Sequence, residues 1–167
     1  MIIVSKRVSY DDPRDCENLV RLLGEYARLE CGDEAPDMSD LPQQLASFPT
    51  AFSLLAYADS DQTVAVGLVN CFFGFSTFAG RSLVNVHDVV VTEKHRGKGV
   101  SGAMLEAVER IAVEHGCCRV TLEVLADNTP ALRAYQKQGF SRDPAHPHTD
   151  TIFLRKSLVT ENGDRSA

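Results

Sequence analysis

The stretch that most constrains this chain runs from residue 83 to residue 125. Residues 83–91 (LVNVHDVVV) are apolar on both faces of a would-be strand, the pattern of a strand buried inside a sheet. A polar loop, Thr92-Glu93-Lys94-His95-Arg96, leads into the glycine-rich turn Gly97-Lys98-Gly99-Val100-Ser101-Gly102. An amphipathic helix follows, with Val100, Ala103, Met104, Ala107, Val108, Ile111 and Ala112 on one stripe and Gly116 as its stop. Residues 119–125 then read as a second strand. Glycines between a strand and a helix let the backbone turn tightly and expose consecutive N–H groups at the positive end of the helix dipole. Such a nest takes an anion, and a pyrophosphate suits it well. Arg96 and Lys98 add formal charge to it.

The flanking sequence supplies the rest of one α/β domain. Residues 2–9 read as a strand, and a helix begins with Asp12 as N-cap, Pro13 at N1 and Asp15 in the first turn. Cys16, Leu19, Val20, Leu23 and Tyr26 recur at helical spacing until Gly32. An acidic loop (Asp33, Glu34, Asp37, Asp40) and a short helix over 42–48 come next. Residues 52–58 and 63–73 form a hairpin signal around Asp59-Ser60-Asp61-Gln62. Beyond residue 125, Asn128 or Thr129 caps a helix with Pro130 near its start, ending at Gly139. Final strands are expected near Phe140 and over 151–158. The expected architecture is α/β of the α+β type, a mixed central sheet of about six to seven strands with helices on both faces. Residues 1–160 form the single domain in this reading, and 161–167 a frayed tail.

Charge and cysteine usage narrow the partners. Seventeen basic against 23 acidic residues give a net charge of −6, with a pI near 5.3 and no Trp. That balance argues against nucleic acid as the main partner. The start, Met1-Ile2-Ile3-Val4-Ser5-Lys6-Arg7, has its charge after its apolar run, the wrong order for a secretory signal. No apolar run approaches the roughly 18 residues of a membrane span. Cys16, Cys31, Cys71, Cys117 and Cys118 are odd in number and lack CxxC spacing, which suits free thiols in the cytoplasm. His146 and His148 flank Pro147 with no third ligand in view, so no metal site is expected.

Gly97, Gly99 and Gly102 also match G-x-G-x-x-G, with Glu123 about 20 residues further on, so an NAD(P)-binding oxidoreductase is a competing reading. Against it, five polar or charged residues separate strand from glycines, and too little chain follows Glu123 for the remaining βα units.

The motifs resemble a known family. Arg96-x-x-Gly99-x-Ser101 is similar to the Q/R-x-x-G-x-G/A acyl-CoA-binding motif of the GCN5-related N-acetyltransferases. Asn128-x-Pro130-Ala131-x-x-x-Tyr135-x-x-x-Gly139-Phe140 resembles that family's N-x-x-A-x-x-x-Y-x-x-x-G-F helix. The two blocks come in the family's order and spacing. Ser101 departs from the pattern, standing where a Gly or Ala is usual, and its hydroxyl either crowds the pyrophosphate or donates to it.

The resemblance implies that acetyl-CoA lies in a split between strands 83–91 and 119–125, as co-substrate and without a metal. Backbone groups of Val89, Val90 and Val91 would pair with its pantetheine and acetyl carbonyl. N–H groups of Arg96, Gly97, Lys98, Gly99, Val100, Ser101 and Gly102 would hold the pyrophosphate, with Asn128 and Ala131 on the far side. Tyr135 would be the general acid for the departing thiolate. The base is expected from the strand before the turn, with His87 first and Asp88 second, as base or as orienter of His87. Strand alternation puts Asn85 and His87 on one face and Asp88 on the other. Tyr26, Phe72, Phe75 and Asn85 are candidate substrate contacts, among the hairpin aromatics Phe72, Phe73, Phe75 and Phe78. The acidic loop is a candidate for steering a cationic amine.

The expected activity is direct acetyl transfer to a primary amine of a small molecule or peptide. No cysteine occupies a motif position, which argues against a covalent thiol route. The rival from another class is an acyl-CoA-binding sensor without catalysis. A homodimer is common in the resembling family, and nothing else in the sequence bears on oligomeric state.

Overall fold

The computed structural model describes residues 1–58, 63–143 and 150–158, except for the Glu30 side chain. Strand β1 (Ile3–Arg7) leads into helix α1 (Pro13–Cys31) and the short α2 (Leu41–Ser47). Strands β2 (Ala51–Ala58), β3 (Gly67–Ser76) and β4 (Arg81–Val91) follow, then α3 (Val100–Glu114), β5 (Arg119–Leu125), α4 (Thr129–Lys137), β6 (Ser141–Arg142) and β7 (Thr151–Ser157). Among the described residues these make one seven-stranded sheet in the order β1-β2-β3-β4-β5-β7-β6. Only β4 and β5 pair parallel, joined through α3. A doubly wound parallel sheet of the dinucleotide-binding kind is therefore ruled out, and the oxidoreductase reading with it.

Helix α1 starts where the sequence predicts. Asp12 caps it by accepting from Arg14 N–H at 2.9 Å, and Gly32 closes it at φ 60°. The buried side of α1 (Leu19, Leu22, Leu23) packs with Leu45 of α2 on Leu55, Tyr57, Leu68 and Val90. The opposite face of the sheet carries the larger core. There Val100, Met104, Leu105 and Val108 of α3 meet Leu54, Val69, Val84, Val86, Val120 and Leu122, and Tyr135 and Phe140 close the end.

Strand β3 begins later than its apolar pattern predicts. The Asn18 side chain donates to Thr63 C=O at 3.1 Å and accepts from Ala65 N–H at 2.9 Å, so this segment bonds to α1 rather than to a sheet ladder. At Gly67 the absence of a side chain matters. A Cβ there would lie 2.8 Å from Val100 Cγ1 and 3.1 Å from Met104 Cε, so glycine lets the first turns of α3 rest directly on β3. The predicted turn over 59–62, His146, His148 and the tail over 161–167 lie outside the described residues.

Candidate active site

Two features of β4 build the site. Its parallel pairing with β5 covers only Val84↔Val120, Asn85↔Thr121 and Val86↔Leu122. Beyond Val86, β4 stays on β3 (Val89↔Val69, Val90↔Leu68, Val91↔Gly67), while β5 stays on β7 as far as Leu125↔Thr151. The two strands therefore part, and among the described residues the β5-facing edge of Val89, Val90 and Val91 has no strand partner. Buried backbone polar groups need partners, so this gap is shaped for an extended ligand with amide groups of its own.

The second feature is a slip of register between Asn70↔Asp88 and Cys71↔Val86, which leaves His87 as a bulged residue. The bulge changes what the sequence pattern implies. Asn85 and His87 lie on the α1 side, where the His87 ring meets Phe72 edge-on at 5.6 Å. Asp88 lies on that same side, because its carboxylate accepts from Asn70 and because Val90, two residues on, packs under α1. Alternation had put Asp88 on the opposite face; the extra residue at the bulge corrects this and brings both candidate bases to one surface. No hydrogen bond joins His87 to Asp88 among the described residues.

Asp88 is held from behind by a chain that the motif reading missed. Asn70 Nδ2 donates to Asp88 Oδ2 at 3.0 Å, and Ser53 Oγ donates to Asn70 Oδ1 at 2.6 Å. With its single proton so used, Ser53 accepts from Tyr10 O–H at 2.9 Å. Asn70 and Ser53 are both buried. The signal was present in the sequence, since each is a polar residue inside an apolar strand.

The end of β4 runs through a one-turn 3₁₀ helix (Glu93–His95) into the glycine turn. Gly97 and Gly99 have φ of 73° and 85°, and Gly99 is the N-cap of α3 with no side chain capping it. The first helical bond is Ala103 N–H to Gly99 C=O, so the N–H groups of Val100, Ser101 and Gly102 have no partner within the helix. Val100 is buried under the turn, while Gly97, Lys98 and Gly99 are exposed. Arg96 Nε donates back to Val91 C=O at 3.2 Å, tying the turn to the strand end. The turn thus has the positive-φ glycines and bare helix start that the glycine spacing predicts, an arrangement able to take an anion.

Across the gap, Asn128 caps α4 by accepting from Ala131 N–H at 3.2 Å, and Ala131 is half-buried beside the core. The Gln138 side chain at the end of α4 lies against Gly102, where a Cβ would sit 2.7 Å from its Nε2. Tyr135 is 8% exposed, and its hydroxyl makes no hydrogen bond among the described residues. Burial pushes its phenol up to about 12, with a smaller contribution from Tyr26 of α1. Phe75 is not brought in. It is exposed and pairs with Ser82 toward the far end of the β3–β4 hairpin, three residues beyond Phe72 and so on the opposite face of the strand.

No group of His, Cys, Asp and Glu able to hold a metal occurs among the described residues. Nor is any helix there long and apolar enough to cross a membrane.

The model of the acetyltransferase (GNAT) family matches residues 17–140 of this chain. The chain belongs to that family. It is 27% identical to thialysine N-epsilon-acetyltransferase of Bos taurus over 133 residues, 75% of this chain and 78% of the relative. To streptothricin acetyltransferase of Streptomyces lavendulae it is 34% identical over 87 residues, half of this chain and 46% of the relative. Among solved structures, Arabidopsis thaliana NAA60 in complex with acetyl-CoA superposes with a TM-score of 0.70 at 18% identity, covering 94% of this chain and 99% of that one. Likeness at that identity speaks for the fold.

Proposed function

We propose that this GNAT protein transfers an acetyl group from acetyl-CoA directly to a primary amine of a small molecule or peptide. The observation that carries the reading is the gap between β4 and β5, which opens beside the N–H groups left without a helical partner at the start of α3. The open edge of Val89–Val91 suits the amides of a pantetheine arm, and the nest from Arg96 to Gly102 suits its pyrophosphate, with Asn128 and Ala131 opposite. Acetyl-CoA supplies the thioester; the protein's part is to place an amine against it and manage two protons.

His87 and Asp88 stand where the amine would arrive. His87 takes the ammonium proton, and Asp88, fixed through Asn70, orients the cation. Tyr26, Phe72 and Asn85 line the same approach. Tyr135 protonates the departing thiolate, its raised pKa keeping the phenol protonated until that moment, and the second proton released by the acylated nitrogen restores the phenol. Burial also raises the thiols of Cys16, Cys71 and Cys117, which makes them poor nucleophiles and favours direct transfer. Five unpaired cysteines suit the cytoplasm.

The test is acetyl-CoA binding by calorimetry, followed by free-thiol release with a panel of amines. Binding with amine-dependent release is the expected result. Binding without release on any amine would favour a sensor, and absence of binding would overturn the reading.

A further inference from the structure

The half of the sheet that α1 and α2 leave uncovered carries a cluster of cations. A cavity of about 570 Å³ is lined by Arg81, Arg119 and Arg155 with Ser141 and Ser157, and Lys156 borders it from the α3 side of the sheet. Register puts the three arginines on one face. Arg81 lies opposite Ser76, whose hydroxyl accepts from Arg119 Nη2 at 2.9 Å, and Arg155 lies opposite both Thr121 and Ser141. This is the face of Asn85 and His87, since Asn85 pairs with Thr121 and donates to its hydroxyl.

The charges there are only partly answered. Arg155 has Asp143 at 3.5 Å, and Lys156 pairs with Glu109. Arg119 finds a neutral serine, and Arg81 has no ion pair among the described residues. Each arginine sits opposite a neutral residue, so the three are neighbours across the strands without an anion between them, on a chain whose net charge is −6. Three guanidinium groups gathered from β4, β5 and β7 around a cavity therefore point to a ligand rather than to folding.

We infer that this cavity binds the anionic end, carboxylate or phosphate, of the amine acceptor. The inference rests on the acetyl-transfer reading above. Arg155 stands two strands across from His87 and two residues back along the sheet, a Cα separation of about 12 Å at ~3.3 Å per residue and ~4.8 Å per strand. An extended chain the length of lysine, met by a guanidinium at its anionic end, covers that separation. A paired guanidinium–carboxylate contact is a strong, directional one. The same cations repel the second ammonium of a polyamine, so the site selects ω-amino acids or aminoalkyl phosphates over diamines.

The test compares ε-aminocaproate, aminohexyl phosphate, hexylamine and hexamethylenediamine as acceptors, in the wild-type protein and in the Arg119→Gln/Arg155→Gln variant. One or both anionic amines should show a KM about tenfold or more below hexylamine, with kcat little changed and hexamethylenediamine the poorest. Whichever of the carboxylate and the phosphate binds better names the anion. The variant should lose that preference while hexylamine turnover and acetyl-CoA binding stay put. Equal KM values in the wild type, or a preference that survives in the variant, would overturn the inference. Calorimetric titration of ε-aminocaproate against hexylamine decides the same point without turnover. Failure of acetyl-CoA to bind strikes instead at the acetyl-transfer reading.

Discussion

Asn70 Nδ2 lies 3.0 Å from Asp88 Oδ2, across β3 and β4 at the place where their register slips. The contact fixes which way the Asp88 carboxylate faces, and it is the last link of a chain that starts at the Tyr10 hydroxyl and passes through buried Ser53. Every link donates toward Asp88. The chain therefore supports a carboxylate that receives a cation on its other oxygen.

Replacing Asn70 removes that support while leaving Asp88 in place. Asn70→Leu should lower kcat/KM for the amine by about 10- to 100-fold, the worth of one hydrogen bond to a charged group. The KM for acetyl-CoA should not change, since Asn70 lies on the α1 side and away from the turn at α3. Ser53→Ala should give the same defect in weaker form, because it frees the amide without removing it. Steady-state kinetics with each substrate varied in turn makes the comparison. An equal loss in both KM values would mean that Asn70 only holds the sheet.

The two candidate bases can be separated by which kinetic constant each supports. If His87 accepts the ammonium proton, His87→Gln should lower kcat by 10²- to 10⁴-fold, the usual span for a general base, with the KM for the amine little changed. Asp88→Asn should instead raise the KM for the amine. A loss of kcat in Asp88→Asn with only a KM change in His87→Gln would reverse the two roles.

Tyr135 allows one measurement on activity and another on stability. Tyr135→Phe should lower kcat by about 10²- to 10⁴-fold with acetyl-CoA binding retained. The phenol ionises near 10 when unfolded and at about 12 in the folded protein. Between those values the folded state holds a proton that the unfolded state has lost, so stability is fully present below pH ~10 and falls as pH rises toward ~12. Two pK units correspond to about 3 kcal/mol as an order of magnitude. Denaturant melts between pH ~9 and ~12 should show that fall in the wild type and a shallower one in Tyr135→Phe.

Much of this fold is legible in the sequence for definite physical reasons. Asp12, Pro13 and Gly32 bound α1 through local chemistry, and the stripe from Val100 to Ala112 marks α3 because its period matches the packed face. The nest at Gly97 and Gly99 is readable for the same reason, since positive φ is a property of the residues themselves. What escapes is whatever depends on register. The bulge at His87 comes from how β4 meets β3, and alternation counted along β4 alone puts Asp88 on the wrong face. Arg81, Arg119 and Arg155 are far apart in the chain and become neighbours only through three strand pairings. Tyr10, Ser53 and Asn70 likewise meet only across strands.

Gly67 tests whether the seat of α3 matters as much as the nest at its tip. It faces Val100 and Met104, and an added methyl would sit 2.8 Å from Val100 Cγ1 and 3.1 Å from Met104 Cε. Both neighbours are fully buried, so neither side chain can swing into solvent to make room. Gly67→Ala should therefore cost about 1–3 kcal/mol, the usual range for overpacking a core. It should also push the first turn of α3 away from β3 and weaken acetyl-CoA binding, even though Gly67 lies outside the glycine turn. Gly99→Ala offers the contrast. Nothing lies within 4 Å of a Cβ there, but φ is +85°, so the cost arises from backbone strain at the nest itself. Relieving the crowding by pairing Gly67→Ala with Val100→Ala should restore part of the stability and part of the binding, whereas no core substitution should rescue Gly99→Ala. If Gly67→Ala melts like the wild type and binds acetyl-CoA equally well, the position of α3 is set elsewhere, at the turn alone.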